Sequence, residues 1–178
     1  MLNRCVFIML LTVACSTTAR AATWIDRGHG RVQMNGEIME SACGIHTDDL
    51  WQEIVFPPVS VQDISSSRTA EADFSLRLVN CRLEKANGTL WRGVDVTFMG
   101  EADSRSDALF ALHGDAEGLA LQLSDERGEV VQPGSAFSTV SLEGEEQQLN
   151  YRLRVIRNGV ALKEGEWSAA LRFMVAYP

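Results

Sequence analysis

Residues 167–178 read Trp-Ser-Ala-Ala-Leu-Arg-Phe-Met-Val-Ala-Tyr-Pro, and Trp167, Ala169, Leu171, Phe173, Val175 and Tyr177 all share one parity. Side chains on a strand alternate between its two faces, so a period of two places these six on one surface and Ser168, Arg172 and Met174 on the other. The segment is therefore expected to be a half-buried strand. Only Pro178 follows Tyr177 in this sequence. No further strand is expected after it, and an apolar face with an unpaired backbone edge is expected to stay open, a state that sandwiches normally avoid.

Working back from this segment, the same pattern recurs. Val94, Val96 and Phe98 alternate, as do Leu119, Leu121 and Leu123, and Leu149, Tyr151, Leu153 and Val155. Phe74 to Cys81 alternates as well, with Cys81 opposite in parity to Leu76 and Leu78, and Arg31 to Glu40 places Val32 and Met34 on one face. Asn87-Gly88, Arg127-Gly128, Pro133-Gly134, Asn158-Gly159 and Glu164-Gly165 punctuate these runs as turns. Asn87-Gly88-Thr89 also fits a glycosylation sequon and is read as a turn. A short helix is expected around Asp107 to Leu112, and Ser60 to Ala72 is expected to be a long loop or crossover. Six strands at this spacing predict an all-β sandwich.

The N-terminus is a different region. Arg4 is followed by the short apolar run Cys5 to Cys15, and then by Ala19-Arg20-Ala21, the small-x-small pattern of a cleavage site. The run is too short for a membrane span of roughly 20 residues. Residues 1–21 are accordingly expected to be a signal peptide; the alternative, acylation at Cys15, lacks so clear a signal. Residues 22–34 form an extension and residues 35–178 the domain. Within the extension Gly28, Gly30, Val32 and Met34 share one parity, running from small to larger side chains. Glycine on the inward face of a strand permits close approach of another backbone.

Export leaves Cys43 and Cys81 as an isolated pair in an oxidising compartment, so a disulfide is expected. It would close a loop of about 39 residues, worth roughly 4 kcal/mol on the chain-entropy model. The competing metal site would need more ligands, and His46 alone lies nearby. No metal or other cofactor is expected. The formal charge of −8 argues against nucleic acid as a partner. His29, His46 and His113 are scattered, and neither G-x-S-x-G nor H-E-x-x-H occurs. Asp48-Asp49 and Glu143 to Glu146 are read as solvated loop charge rather than a carboxylate pair. Neither a catalytic residue nor a small-molecule substrate is expected.

Gly36-Glu37-Ile38 followed by Ala42-Cys43, the Phe74 to Cys81 strand, Gly118 to Leu123 with Gly128, and Gly165 fourteenth from the end with Tyr177 penultimate resemble the pilins of chaperone–usher fimbriae. Leu149 to Gly159, with Leu162 and Gly165, further resembles the termination subunit of P pili and related minor pilins, although Pro178 as the last residue departs from that pattern. The resemblance implies an incomplete immunoglobulin-like sandwich of six strands plus an N-terminal donor strand. It implies a periplasmic pilus chaperone, an outer-membrane usher and neighbouring pilin subunits as partners, and a final location in a fimbrium at the cell surface. The furrow wall would comprise Trp167, Ala169, Leu171, Phe173, Val175 and Tyr177, with Gly165 part of the chaperone-recognition pattern. The donor would be Gly28, Gly30, Val32 and Met34, with Gly30 the small residue used in exchange. A terminating or anchoring subunit is expected; an ordinary major or adaptor pilin, or a glycan-binding tip adhesin, are the alternatives.

Overall fold

The structure is a computed structural model that describes residues 30–36, 38, 40–66 and 70–178. The expected signal peptide and Gly28 lie outside the described residues. Contacts divide the chain into two units, Met1–Ile38 and Met39–Pro178. In the first, the described residues 30–36 and 38 belong to no strand, and Val32, Met34 and Ile38 are exposed. The strand expected over Arg31 to Glu40 is absent there because a strand needs a ladder, and these residues have no partner among the described ones.

The second unit is all β apart from two short helical turns. Its strands are β1 (Gly44–Ile45), β2 (Ala70–Val79), β3 (Asp95–Met99), β4 (Ala102–Asp103), β5 (Ser106–Ala111), β6 (His113–Gly114), β7 (Leu119–Asp125), β8 (Val130–Val131), β9 (Gln147–Arg157), β10 (Trp167–Ser168) and β11 (Arg172–Ala176). One sheet runs β1-β2-β9-β7-β5-β4, with β8 added to β7. Opposite it, β11 pairs with β3, and β10 with β6. All these pairings are antiparallel.

The core lies between the layers, as the alternation requires. Leu76 and Leu78 of β2, Val96 and Phe98 of β3, Leu121 and Leu123 of β7, and Leu149, Tyr151, Leu153 and Val155 of β9 all turn inward and are buried. Phe98 is the hinge between the sheets, with its ring 4.9 Å from Tyr151, 5.8 Å from Phe74 and 6.1 Å from Phe137. These edge-on contacts add to the burial of the rings. The buried Tyr151 hydroxyl is pushed well above its ordinary pKa by desolvation, so it stays neutral at any physiological pH.

Three expectations are corrected. The helix expected at Asp107 to Leu112 is strand β5, because Phe110 and Ala111 pair with Leu121 and Ala120 of β7. Tertiary pairing overrides a weak local helical tendency. The loop expected over Ser60 to Ala72 contains α1 (Val61–Ser65), capped by the Ser60 hydroxyl on the Asp63 amide, and Ala70 already belongs to β2. The last apolar segment is two strands rather than one, since β10 and β11 pair with different neighbours. The Asn87-Gly88 turn is observed. Gly88 has φ of 81°, and Asn87 Oδ1 accepts hydrogen bonds from the Thr89 amide and hydroxyl.

Candidate functional site: an open furrow beside the last strand

β11 forms its ladder on one side only, from Arg172↔Met99 to Ala176↔Asp95. On its other edge it has no ladder partner among the described residues, and the same holds for β10 beyond β6. Trp167, Ala169, Leu171, Phe173, Val175 and Tyr177 are all half-buried, while the residues between them are exposed. They pack on the core without being covered by it. In the sheet made by β2, β9 and β7 most of the equivalent inward residues, Leu76, Leu78, Leu121, Leu123, Leu149, Tyr151, Leu153 and Val155, are buried. The difference is what one missing strand would leave.

The opposite lip was not foreseen. Residues 52–56 run extended, with Ile54 and Phe56 half-buried against the core and Glu53 and Val55 outward. From Trp51 to Val59 no backbone–backbone hydrogen bond is formed among the described residues. At one end of the furrow the Phe56 ring packs edge-on to Trp167 at 5.1 Å. At the other end the Tyr177 hydroxyl donates to the Cys43 carbonyl over 3.2 Å, and Trp91 packs edge-on to Tyr177 at 5.9 Å. Burial raises the Tyr177 pKa.

The frame that holds these lips follows from the sequence. Cys43 and Cys81 are joined by a disulfide, which fixes the segment leading into residues 52–56 to the end of β2, where Gly44 pairs with Val79. Gly165 lies where a methyl group would strike the backbone of Asp115 and Ala116, and a methyl on Gly114 would strike that of Glu166. The two glycines let β6 and β10 approach and so position Trp167, although Gly114 had drawn no notice in the sequence. Sequence reasoning had only a lone glycine to go on there.

Between β1 and residues 52–56, the reading of Asp48-Asp49 as solvated charge holds for Asp48 but not for Asp49. Asp49 is buried at the edge of β2, accepting from the Arg77 backbone amide at 2.7 Å and from its guanidinium at 2.8 and 3.0 Å. Hydrogen bonding to Arg77 is the largest cause that holds its carboxyl below the usual carboxylate range, outweighing desolvation. Local sequence could not reveal this, because the partner lies 28 residues away. No group of three or more His, Cys, Asp or Glu is gathered as a metal site among the described residues.

The furrow has relatives. Residues 32–178 match the family model described as "Fimbrial protein". The PRS and PAP fimbrial minor pilin proteins of Escherichia coli are each 36% identical over 157 residues, covering 86% of this chain and 78% of theirs. The P pilus rod subunit PapA superposes with a TM-score of 0.69 at 25% identity, over 78% of this chain and all of that one. A subunit from the structure of a chaperone–usher pilus gives 0.70 at 26% identity, over 86% and 98%. The family and its incomplete immunoglobulin-like fold serve structure rather than catalysis. The chain belongs to the fimbrial protein family and is a structural pilin subunit of a chaperone–usher surface fibre.

Proposed function

We propose that this subunit ends its fibre. In the periplasm its furrow takes a strand from a pilus chaperone, which pairs with the free edge of β11. At the usher its N-terminal segment, with Gly28, Gly30, Val32 and Met34 on one face, enters the furrow of the preceding subunit. The same parity continues to Gly36 and the exposed Ile38. This is strand addition: the backbone ladder supplies affinity and alternate side chains supply choice. Burying about five apolar side chains at ~1.5–3 kcal/mol each is a substantial gain before ordering costs are subtracted.

The observation that carries the terminating role is Phe56 against Trp167. The ring packs against Trp167 at the start of the last apolar segment, and there it takes the place in which a competing strand would seat a side chain before displacing the chaperone. Beyond this contact the edge of β11, Arg172 to Ala176, has no ladder partner among the described residues and is long enough to pair with a chaperone strand. The 36% identity to two proteins named minor pilins agrees with a specialised position. The test is to mix the chaperone-bound chain with a synthetic peptide of residues 22–38 and follow release of the chaperone. The wild type should not exchange and Phe56→Ala should. Rapid exchange by the wild type would instead make this an ordinary rod or adaptor pilin.

A further inference from the structure

We propose that Pro57 and Pro58 form a backbone stop that ends the acceptor lip, so that the dead end does not depend on the Phe56 ring alone. The inference rests on the terminating role above and deepens it. Both prolines are exposed, follow Phe56 directly, and precede the Ser60 cap that turns the chain into α1. Successive amides of an extended chain point to opposite edges. A Pro-Pro pair therefore removes one donor from each edge, whichever edge faces the furrow. A strand laid along this lip can form a ladder as far as Phe56 and then meets a residue with no N–H. Its own carbonyl at that point has no partner, and an unpaired backbone group is costly when buried.

The pair does a second thing. The residue before a proline is pushed away from the helical region toward extended backbone. Pro57 thus holds Phe56 extended, and Pro58 holds Pro57 likewise. The lip cannot curl to withdraw the ring from Trp167 without leaving the range these prolines allow. It also starts from a narrower unfolded ensemble, which favours the observed arrangement. Ring and backbone act at the same end of the furrow by different means: one fills space and the other removes hydrogen-bond donors.

The two contributions separate in a variant series made in the full chain, purified with its chaperone. The probe is the peptide of residues 22–38, and the readouts are its residence time and amide exchange at residues 57–58. Phe56→Ala should admit the peptide with a short residence time. Adding Pro57→Ala and Pro58→Ala should lengthen that time by roughly tenfold, the worth of about one hydrogen bond, with a new protected amide at position 57 or 58. Equal residence times with no new protection would overturn the backbone stop while leaving the ring's role intact. Exclusion of the peptide by Phe56→Ala would overturn the ring's role instead. The stop would then stand only if Pro57→Ala/Pro58→Ala alone admits the peptide, and would fall if it does not. Because both prolines are exposed, the single replacements Pro57→Ala and Pro58→Ala can stand in if the double variant is poorly recovered.

Discussion

β2 and β11 each lie at an exposed flank of a sheet, and the chain treats them in opposite ways. β2 is closed by its own protein: β1 pairs with Leu78 and Val79, the His46 amide donates to the Arg77 carbonyl, Asp49 accepts from the Arg77 amide, and the Gln52 side chain donates to the Ser75 carbonyl. β11 receives nothing comparable on its free side among the described residues. Edge strands invite pairing with other chains. This subunit suppresses that invitation at one edge and leaves it at the other, where the side chains that would reward a partner are half-exposed. On the proposed function, the edge of β11 becomes a binding site because an apolar furrow accompanies it, not because its backbone is free.

The largest effect is expected from removing what makes β11 worth pairing. Phe173→Ala or Tyr177→Ala should abolish recovery of the chaperone-bound subunit from the periplasm, and undiminished yield would contradict the furrow. Tyr177→Phe separates the ring from its hydroxyl, which bonds Cys43, and should reduce recovery only in part. Next is Cys43→Ser, which frees the lip from β2. Loss of a disulfide closing about 39 residues costs roughly 4 kcal/mol, and degradation or aggregation is expected.

Asp49→Asn sharpens the other side of the comparison. It should destabilise the folded subunit by about 1–3 kcal/mol, since the Arg77 amide and guanidinium lose their carboxylate, and should increase edge-to-edge aggregation. The pH dependence follows from the depressed Asp49 pKa. Its contribution is fully present above the ordinary carboxylate pKa near 4 and disappears as pH falls through the lower folded value. Unfolding curves of wild type and Asp49→Asn should therefore begin to converge as pH falls below about 4 and meet only below the depressed folded value. Gln52→Ala, at an exposed side chain with one hydrogen bond, should cost about 0.5–1 kcal/mol at most.

How much of this could be read from the residues alone follows the same division. The face shared by β10 and β11 was legible because its six positions from Trp167 to Tyr177 alternate without interruption, although the break between the two strands was not, and the cysteine pair was legible because it stands alone after export. β2, β3, β7 and β9 likewise declared themselves by parity. The second lip did not, since Ile54 and Phe56 give only two alternating positions before Pro57-Pro58, a pattern shared with any loop. Asp49 was misread because its partner is remote in sequence and its neighbour Asp48 is in fact solvated. β5 was misread because its strand character comes from Leu121 and Ala120 rather than from its own periodicity. Gly114 was overlooked because its constraint is imposed by the backbone of Glu166 across the β6–β10 pair. What the sequence withholds is the identity of distant partners.

The most direct test of the incomplete fold is to supply the absent strand in cis. A copy of residues 28–38 appended after Pro178 through a flexible linker acts at high effective concentration and needs no exchange at the Phe56 end. The account predicts that the tethered protein accumulates as a soluble monomer without chaperone, with a urea midpoint well above that of the untethered chain, and with new amide protection along Arg172 to Ala176. An untethered chain that is equally soluble and equally resistant to urea, with β11 already protected on both edges, would contradict it.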